Sequence, residues 1–286
     1  MKRFLAHFVF AFLAVQIAFA QGSPKANNQQ VLKVLAIGNS FSEDALENYL
    51  HELANAVDQE IIIGNLYIGG APLDLHVKNT KADKSAYSYR KVKQNGEKVT
   101  TENVSIARAL QDESWDYVSF QQASPLSGKY DVIMQSLPEL LAYVRERVSP
   151  HTQFVYHQTW AYQQDSKHEG FVGYDNSQQI MYKSISKTSR KLSKNHDFAF
   201  IVPAGTAVQN GRTSSIGDEY TRDGYHLNLD FGRFTAACTW YEKLFGLDVR
   251  KNPYKPQKVT DLQAEIARAA AHAANKKPFK VSPIKK

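Results

Sequence analysis

Five short apolar runs, each broken by glycine, proline or polar residues before a helical pattern begins, limit this chain to few folds. They are Leu32 to Ile37, Ile61 to Tyr67, Tyr117 to Phe120, Gln153 to His157 and Phe198 to Val202. Near-continuous apolar runs of this length suit strands buried on both faces, as parallel strands are. Between and after them lie helical patterns. Ala45, Leu46, Tyr49, Leu50, Leu53, Ala54 and Val57 follow i, i+3, i+4, i+7 spacing, and similar stripes run over 137–148, 180–192, 229–245 and 262–274. Strands alternating with helices predict right-handed β–α–β units: an α/β domain over residues 31–275, with a five-stranded parallel sheet between two helical layers. Residues 76–105 interrupt the pattern. Asn95-Gly96, flanked by Tyr87–Val92 and Lys98–Thr101, predicts a small β-hairpin inserted between sheet strands.

The ends carry other signals. Lys2 and Arg3, the apolar stretch Phe4 to Phe19 and the small residues of Ala18-Phe19-Ala20 read as a signal peptide over residues 1–20. The apolar stretch is short for a membrane span. Export to the periplasm or beyond is expected, with no stable membrane insertion after cleavage and a disordered lead-in over residues 21–30. No cysteine follows the apolar stretch, so the lipoprotein route is not expected. The single cysteine, Cys238, sits in an apolar helical pattern as a small hydrophobe and permits neither an internal disulfide nor a cysteine-based zinc site. The histidines other than His226 lack ligand spacing, so no metal or other cofactor is expected. Of the net charge of +7, much lies at the ends, including a basic tail over 276–286. No basic stripe is interleaved with stacking aromatics, so a nucleic-acid partner is not expected.

The strand ends carry the chemistry. Leu32 to Ile37 stops at Gly38-Asn39-Ser40, and an acidic first turn then opens a helix, leaving Ser40 at the carboxyl edge of the sheet where ligands bind in such folds. A serine hydroxyl needs a base, and histidine suits that task near neutral pH. Asp223 and His226 lie in the loop after the fifth strand, three residues apart, close enough for the carboxylate to fix the ring's tautomer. The N–H groups of Ser40 and Gly70, with a side-chain amide of Gln121 or Gln122, complete a candidate oxyanion hole. His157, Trp160 and Tyr162 follow the fourth strand at the same edge, where aromatic faces could hold a sugar ring.

Gly38-Asn39-Ser40-Phe41-Ser42 resembles the first block of the SGNH (GDSL-type) hydrolases, many of which have aspartate at the position of Asn39. Gly70 resembles the glycine of their second block, and Asp223-x-x-His226 their last block. Trp115-Asp116-Tyr117, Gln121, Trp160-Ala161-Tyr162 and Asp223-Gly224-Tyr225-His226-Leu227 resemble, more closely, a bacterial SGNH branch long described only as a domain of unknown function. The resemblance covers most of the chain beyond the leader. It implies a flavodoxin-like three-layer sandwich with strand order 2-1-3-4-5 and ester hydrolysis through an acyl-enzyme. Related branches often remove acetyl groups from carbohydrates. The third block departs: where the wider family has Gly-x-Asn-Asp, this chain has Gln121-Gln122-Ala123-Ser124, so the asparagine donor is absent.

Three readings follow. The first is an exported serine esterase acting on a small-molecule or glycan ester, foremost a carbohydrate O-acetylesterase. The second is a lipase- or thioesterase-type acyl hydrolase on the same triad, against which the lack of a long apolar lid counts. The third is a carbohydrate-binding protein on a catalytically retired fold. Oligomeric state is not legible.

Overall fold

The computed structural model describes residues 30–286. The leader read over 1–20 and nearly all of the lead-in over 21–30 lie outside the described residues. The strands are β1 (Leu32–Gly38), β2 (Ile61–Tyr67), β3 (Tyr87–Val92), β4 (Lys98–Val104), β5 (Tyr117–Phe120), β6 (Gln153–His157) and β7 (Phe198–Val202). They form one seven-stranded sheet in the order β4-β3-β2-β1-β5-β6-β7. Five of them, β2, β1, β5, β6 and β7, pair in parallel. Their relative order is the 2-1-3-4-5 implied by the resemblance.

The sheet is mixed, which corrects the expectation of five parallel strands. β3 pairs antiparallel with β2, and β4 antiparallel with β3, so the hairpin extends the sheet. Without it β2 would present a row of unpaired backbone groups. Tyr87, Tyr89 and Val92 bury against the sheet, while β4 is mostly exposed.

The helices are α1 (Ser40–Leu46), α2 (Leu50–Asn55), α3 (Leu73–Lys81), α4 (Ile106–Leu110), α5 (Tyr130–Arg145), α6 (Gln178–Leu192), α7 (Ala204–Gly211), α8 (Phe231–Phe245) and α9 (Asp261–Lys276). Side chains alternate along β1 and so feed two cores. Val34 and Ala36 pack with Leu46, Leu50, Val208 and Trp240, whereas Leu35 and Ile37 pack with Leu73, Ile133 and Leu137. The single helix expected over Ala45 to Val57 is two, because Tyr49 takes a left-handed conformation, φ 67°, and its hydroxyl donates to the carbonyl of Leu229 at 2.9 Å. The basic tail is docked: Ser282 N–H donates to Asn210 Oδ1 and Ile284 N–H to Thr213 Oγ1. No helix among the described residues is long and apolar enough to cross a membrane.

This architecture places the site. β1 lies between β2 and β5, where the parallel connections change direction, and a crevice opens there beyond the carboxyl ends of the strands.

Two fully buried histidines tie the core to pH. His76 Nδ1 meets the Tyr87 hydroxyl at 2.8 Å and His157 Nδ1 meets Gln121 Oε1 at 2.7 Å. Burial pushes His76 from 6.5 down to about 4 and His157 from 6.5 down to about 3. Both folded-state values lie below the unfolded one. The stability their neutral forms confer is therefore present above pH 6.5 and lost as pH falls towards the folded values, by up to about 1.4 kcal/mol per pH unit for each ring. Urea unfolding followed between pH 7 and 4 should show this decline, and a His76→Asn, His157→Gln double variant should flatten it.

Candidate active site

The Ser40 end of the site is built where β1 stops at Gly38. A Cβ there would lie 2.3 Å from Ser42 Oγ, so only glycine lets α1 begin directly against the end of β1. Asn39 caps the helix: its Oδ1 accepts the N–H of Phe41 at 3.0 Å, and Ser42 Oγ accepts the N–H of Asn39 at 3.1 Å. Asn39 also reaches sideways. Its Nδ2 donates to the carbonyl of Ala71 at 3.1 Å, after β2, and its Oδ1 accepts Gln121 Nε2 at 2.7 Å, after β5. A carboxylate could not donate to Ala71, so an amide suits this position. Ser40 follows as the first residue of α1, with its N–H among the groups that a helix leaves unpaired.

His226 comes from far along the sequence. An antiparallel bridge between Thr221 and Leu227 closes a tight loop, supported by the Arg222 N–H to His226 carbonyl bond at 2.9 Å. Inside it Asp223 Oδ1 accepts the N–H groups of Tyr225 and His226 at 3.2 and 2.8 Å. Asp223 Oδ2 lies 2.6 Å from His226 Nδ1, and His226 Nε2 lies 2.8 Å from Ser40 Oγ. Since the carboxylate can only accept when ionised, the ring proton sits on Nδ1 and the Nε2 lone pair faces the serine hydroxyl. Partial burial opposes ionisation of Asp223, but the hydrogen bonds from the His226 ring and backbone and from Tyr225 outweigh it and hold the carboxyl below its usual range. Ser40, His226 and Asp223 thus form one hydrogen-bonded series.

The other residues singled out in the sequence divide. Gly70 is left-handed at φ 65°, and it lines a cavity of about 450 Å³ with Ser40 and His226. Its N–H has no protein acceptor among the described residues. The glutamines do not line that cavity. Gln121 is 1% exposed with both ends of its amide engaged, by Asn39 and His157. Gln122 Oε1 accepts the N–H groups of Leu73 and Ala123 at 3.0 and 2.8 Å. His157, Trp160 and Tyr162 are fully buried, at 0% exposure each, so the structure places in the core the aromatic residues expected to hold a sugar. Trp160 supports the site from beneath: it stacks on Phe41 at 4.4 Å and donates Nε1–H to the carbonyl of Tyr225 at 2.7 Å.

Sequence reasoning missed Asp44. This carboxylate, 0% exposed, accepts the Leu227 N–H at 2.8 Å, Arg222 Nη1 at 3.1 Å and Arg233 Nε at 2.8 Å. It thereby fastens the His226 loop to the helix that begins with Ser40. Its position one turn into a helix reads as an ordinary acidic first turn, and nothing local marks the arginines that meet it. Tyr225, noted in the sequence only as part of the last-block motif, also lines the cavity, as do His168 and Glu169, which went unmarked. The one grouping of metal-ligand type among the described residues is Glu242, Asp248 and His272, away from the cavity, and there Arg250 already pairs with Asp248 at 2.7 Å.

An α/β sheet with serine, histidine and aspartate in series at its carboxyl edge defines the class of architecture. Residues 33–274 match the family described as a domain of unknown function, DUF4886, and the chain belongs to that family. A crystal structure of a DUF4886 family protein from Bacteroides uniformis is 50% identical, covers 89% of this chain and 98% of its own, and superposes with a TM-score of 0.88. Similarity beyond the family is weaker. A candidate SGNH hydrolase from Slackia heliotrinireducens is 20% identical over 74% of this chain and 98% of its own, with a TM-score of 0.49. TesA is 10% identical over 77% and 98%, with a TM-score of 0.45. No curated protein matches the chain.

The Asp44 contacts generate a prediction. Replacing Asp44 by Asn leaves Arg222 and Arg233 without their buried carboxylate, and should cost about 3 kcal/mol of unfolding free energy in denaturant titrations. The geometry between His226 and Ser40 should loosen as well, because the loop that carries His226 loses its tether.

Proposed function

We propose that this protein is an exported serine esterase that hydrolyses its substrate through Ser40, His226 and Asp223, and that the ester is an O-acetyl group on a carbohydrate. One observation carries the reading: Ser40 Oγ, His226 Nε2, His226 Nδ1 and Asp223 Oδ2 stand in unbroken hydrogen-bonded order, with Ser40 and His226 lining a cavity. Export is supported by the charged, apolar and small-residue succession at the start of the sequence. A small acyl group is supported by Gly69, Gly70 and Ala123, which line the cavity with little side-chain bulk.

In this mechanism Ser40 Oγ attacks the ester carbonyl as its proton passes to His226 Nε2. The carbonyl oxygen becomes an oxyanion beside the N–H groups of Ser40 and Gly70. Collapse breaks the bond to the alcohol oxygen, which takes the proton from Nε2, and leaves an acyl group on Ser40. A water then attacks the acyl carbon, giving its proton to Nε2. The second collapse returns that proton to Ser40 Oγ and releases the acid. Asp223 keeps the ring in the required tautomer and stabilises the imidazolium.

Ser40→Ala should lower kcat for p-nitrophenyl acetate by at least about a thousandfold while leaving the thermal midpoint within a few degrees of the parent. A fluorophosphonate probe should label the parent protein but neither Ser40→Ala nor His226→Ala. Undiminished turnover in Ser40→Ala would remove the assignment.

A further inference from the structure

The alcohol half of the ester has to lie beside His226, because Nε2 must return a proton to that oxygen. The cavity wall on this side is made by Tyr225, His168 and Glu169. The rings form a continuous row, with centroids 4.1 Å apart from His226 to Tyr225 and 4.7 Å apart from Tyr225 to His168. Trp160 Nε1–H holds the Tyr225 backbone from the core side.

His168 is fixed from below. Its Nδ1 accepts the N–H of Gly170 at 3.0 Å, so in the neutral ring the proton sits on Nε2. The ring packs on Tyr162 at 4.8 Å, and the Tyr162 hydroxyl is in turn 2.7 Å from Ser124 Oγ. Partial burial, together with the nearby His226, lowers the His168 pKa against the opposing charges of Glu169 and Asp223, a shift towards the neutral ring. Glu169, the next residue, is exposed on the same wall and offers a carboxylate. An aromatic surface, one fixed donor and one acceptor thus stand together where the leaving alcohol must sit, while the aromatics that the sequence singled out for this task are buried.

We infer that Tyr225, His168 and Glu169 form the leaving-group subsite, and that it takes a neutral polyhydroxylated alcohol such as a sugar ring. The ring's C–H surface lies on Tyr225, one hydroxyl accepts from His168 Nε2–H and another donates to the Glu169 carboxylate. The carboxylates of Glu169 and Asp223 disfavour an anionic leaving group. This inference rests on the esterase reading above.

The test compares specificity ratios in the full-length protein. The probes are a mono-O-acetylated glucopyranoside, the corresponding acetylated glucuronate and p-nitrophenyl acetate, whose leaving group has no other hydroxyl. His168→Ala should lower the ratio of kcat/KM for the glucoside over p-nitrophenyl acetate about tenfold, the weight of one well-placed hydrogen bond. His168→Gln, which keeps an N–H near the same place, should recover part of it. Glu169→Gln should raise the glucuronate-to-glucoside ratio severalfold. A His168→Ala variant with an unchanged ratio, or a parent protein that cleaves p-nitrophenyl acetate but no acetylated glucoside, overturns the subsite and leaves the esterase reading standing. A parent protein that cleaves none of the three, or one whose activity survives Ser40→Ala, overturns both.

Discussion

The buried carboxylate of Asp44 is the contact on which the arrangement of the site depends. Ser40 belongs to α1 and His226 to a loop that arrives 186 residues later. A hydrogen bond of 2.8 Å between their side chains requires the two backbones to be held in register, and an isolated pair of side chains could not enforce that against chain entropy. Asp44 supplies the enforcement because it receives both a backbone N–H from Leu227 and two guanidinium groups, all within one turn of the serine. A buried charge costs several kcal/mol to desolvate and is tolerated only when fully partnered, so the network is all-or-none. Trp160 acts from the opposite side of the same loop, through the Tyr225 carbonyl.

A second hub sets the rest. Asn39 joins the ends of β1, β2 and β5 through Ala71 and Gln121, and Gln121 continues the chain of bonds to His157 at the end of β6. The glutamine that stands where an oxyanion donor was sought is therefore a strut between strands. Ser40 and Gly70, whose N–H groups have no protein acceptor among the described residues, both line the cavity.

What could be read in advance followed from how local each signal is. The five parallel strands announce themselves as apolar runs, and Asn95-Gly96 marks its turn, because both signals lie within a few residues. The partner of the hairpin is invisible in sequence, since pairing of β3 with β2 depends on which edge is free after the sheet assembles. α7 was missed for a related reason: it carries glycine near its start and at its end, Gly205 and Gly211, and its N-cap Pro203 makes no side-chain capping bond. Ser40, Asp223 and His226 were legible because the pattern of a strand end and an i, i+3 pair is itself local. Asp44 was not, because its arginine partners lie 178 and 189 residues away. Trp160 and Tyr162 show the converse error. An aromatic residue just past a strand looks the same in sequence whether it faces the crevice or the core, and only the packing of Phe41 on Trp160 and of Phe171 on Tyr162 decides.

The added hairpin has a consequence for how the molecule behaves at high concentration. By pairing with β2 it moves the boundary of the sheet outwards to β4, a strand of polar and charged residues, Lys98-Val99-Thr100-Thr101-Glu102-Asn103, with a register shift opposite Tyr87 and Tyr89 and a left-handed Asn103 at φ 57°. An irregular, charged margin is a poor template for a second copy's strand. The hydrophobic β2 edge next to the crevice is thus kept from seeding sheet-to-sheet aggregation.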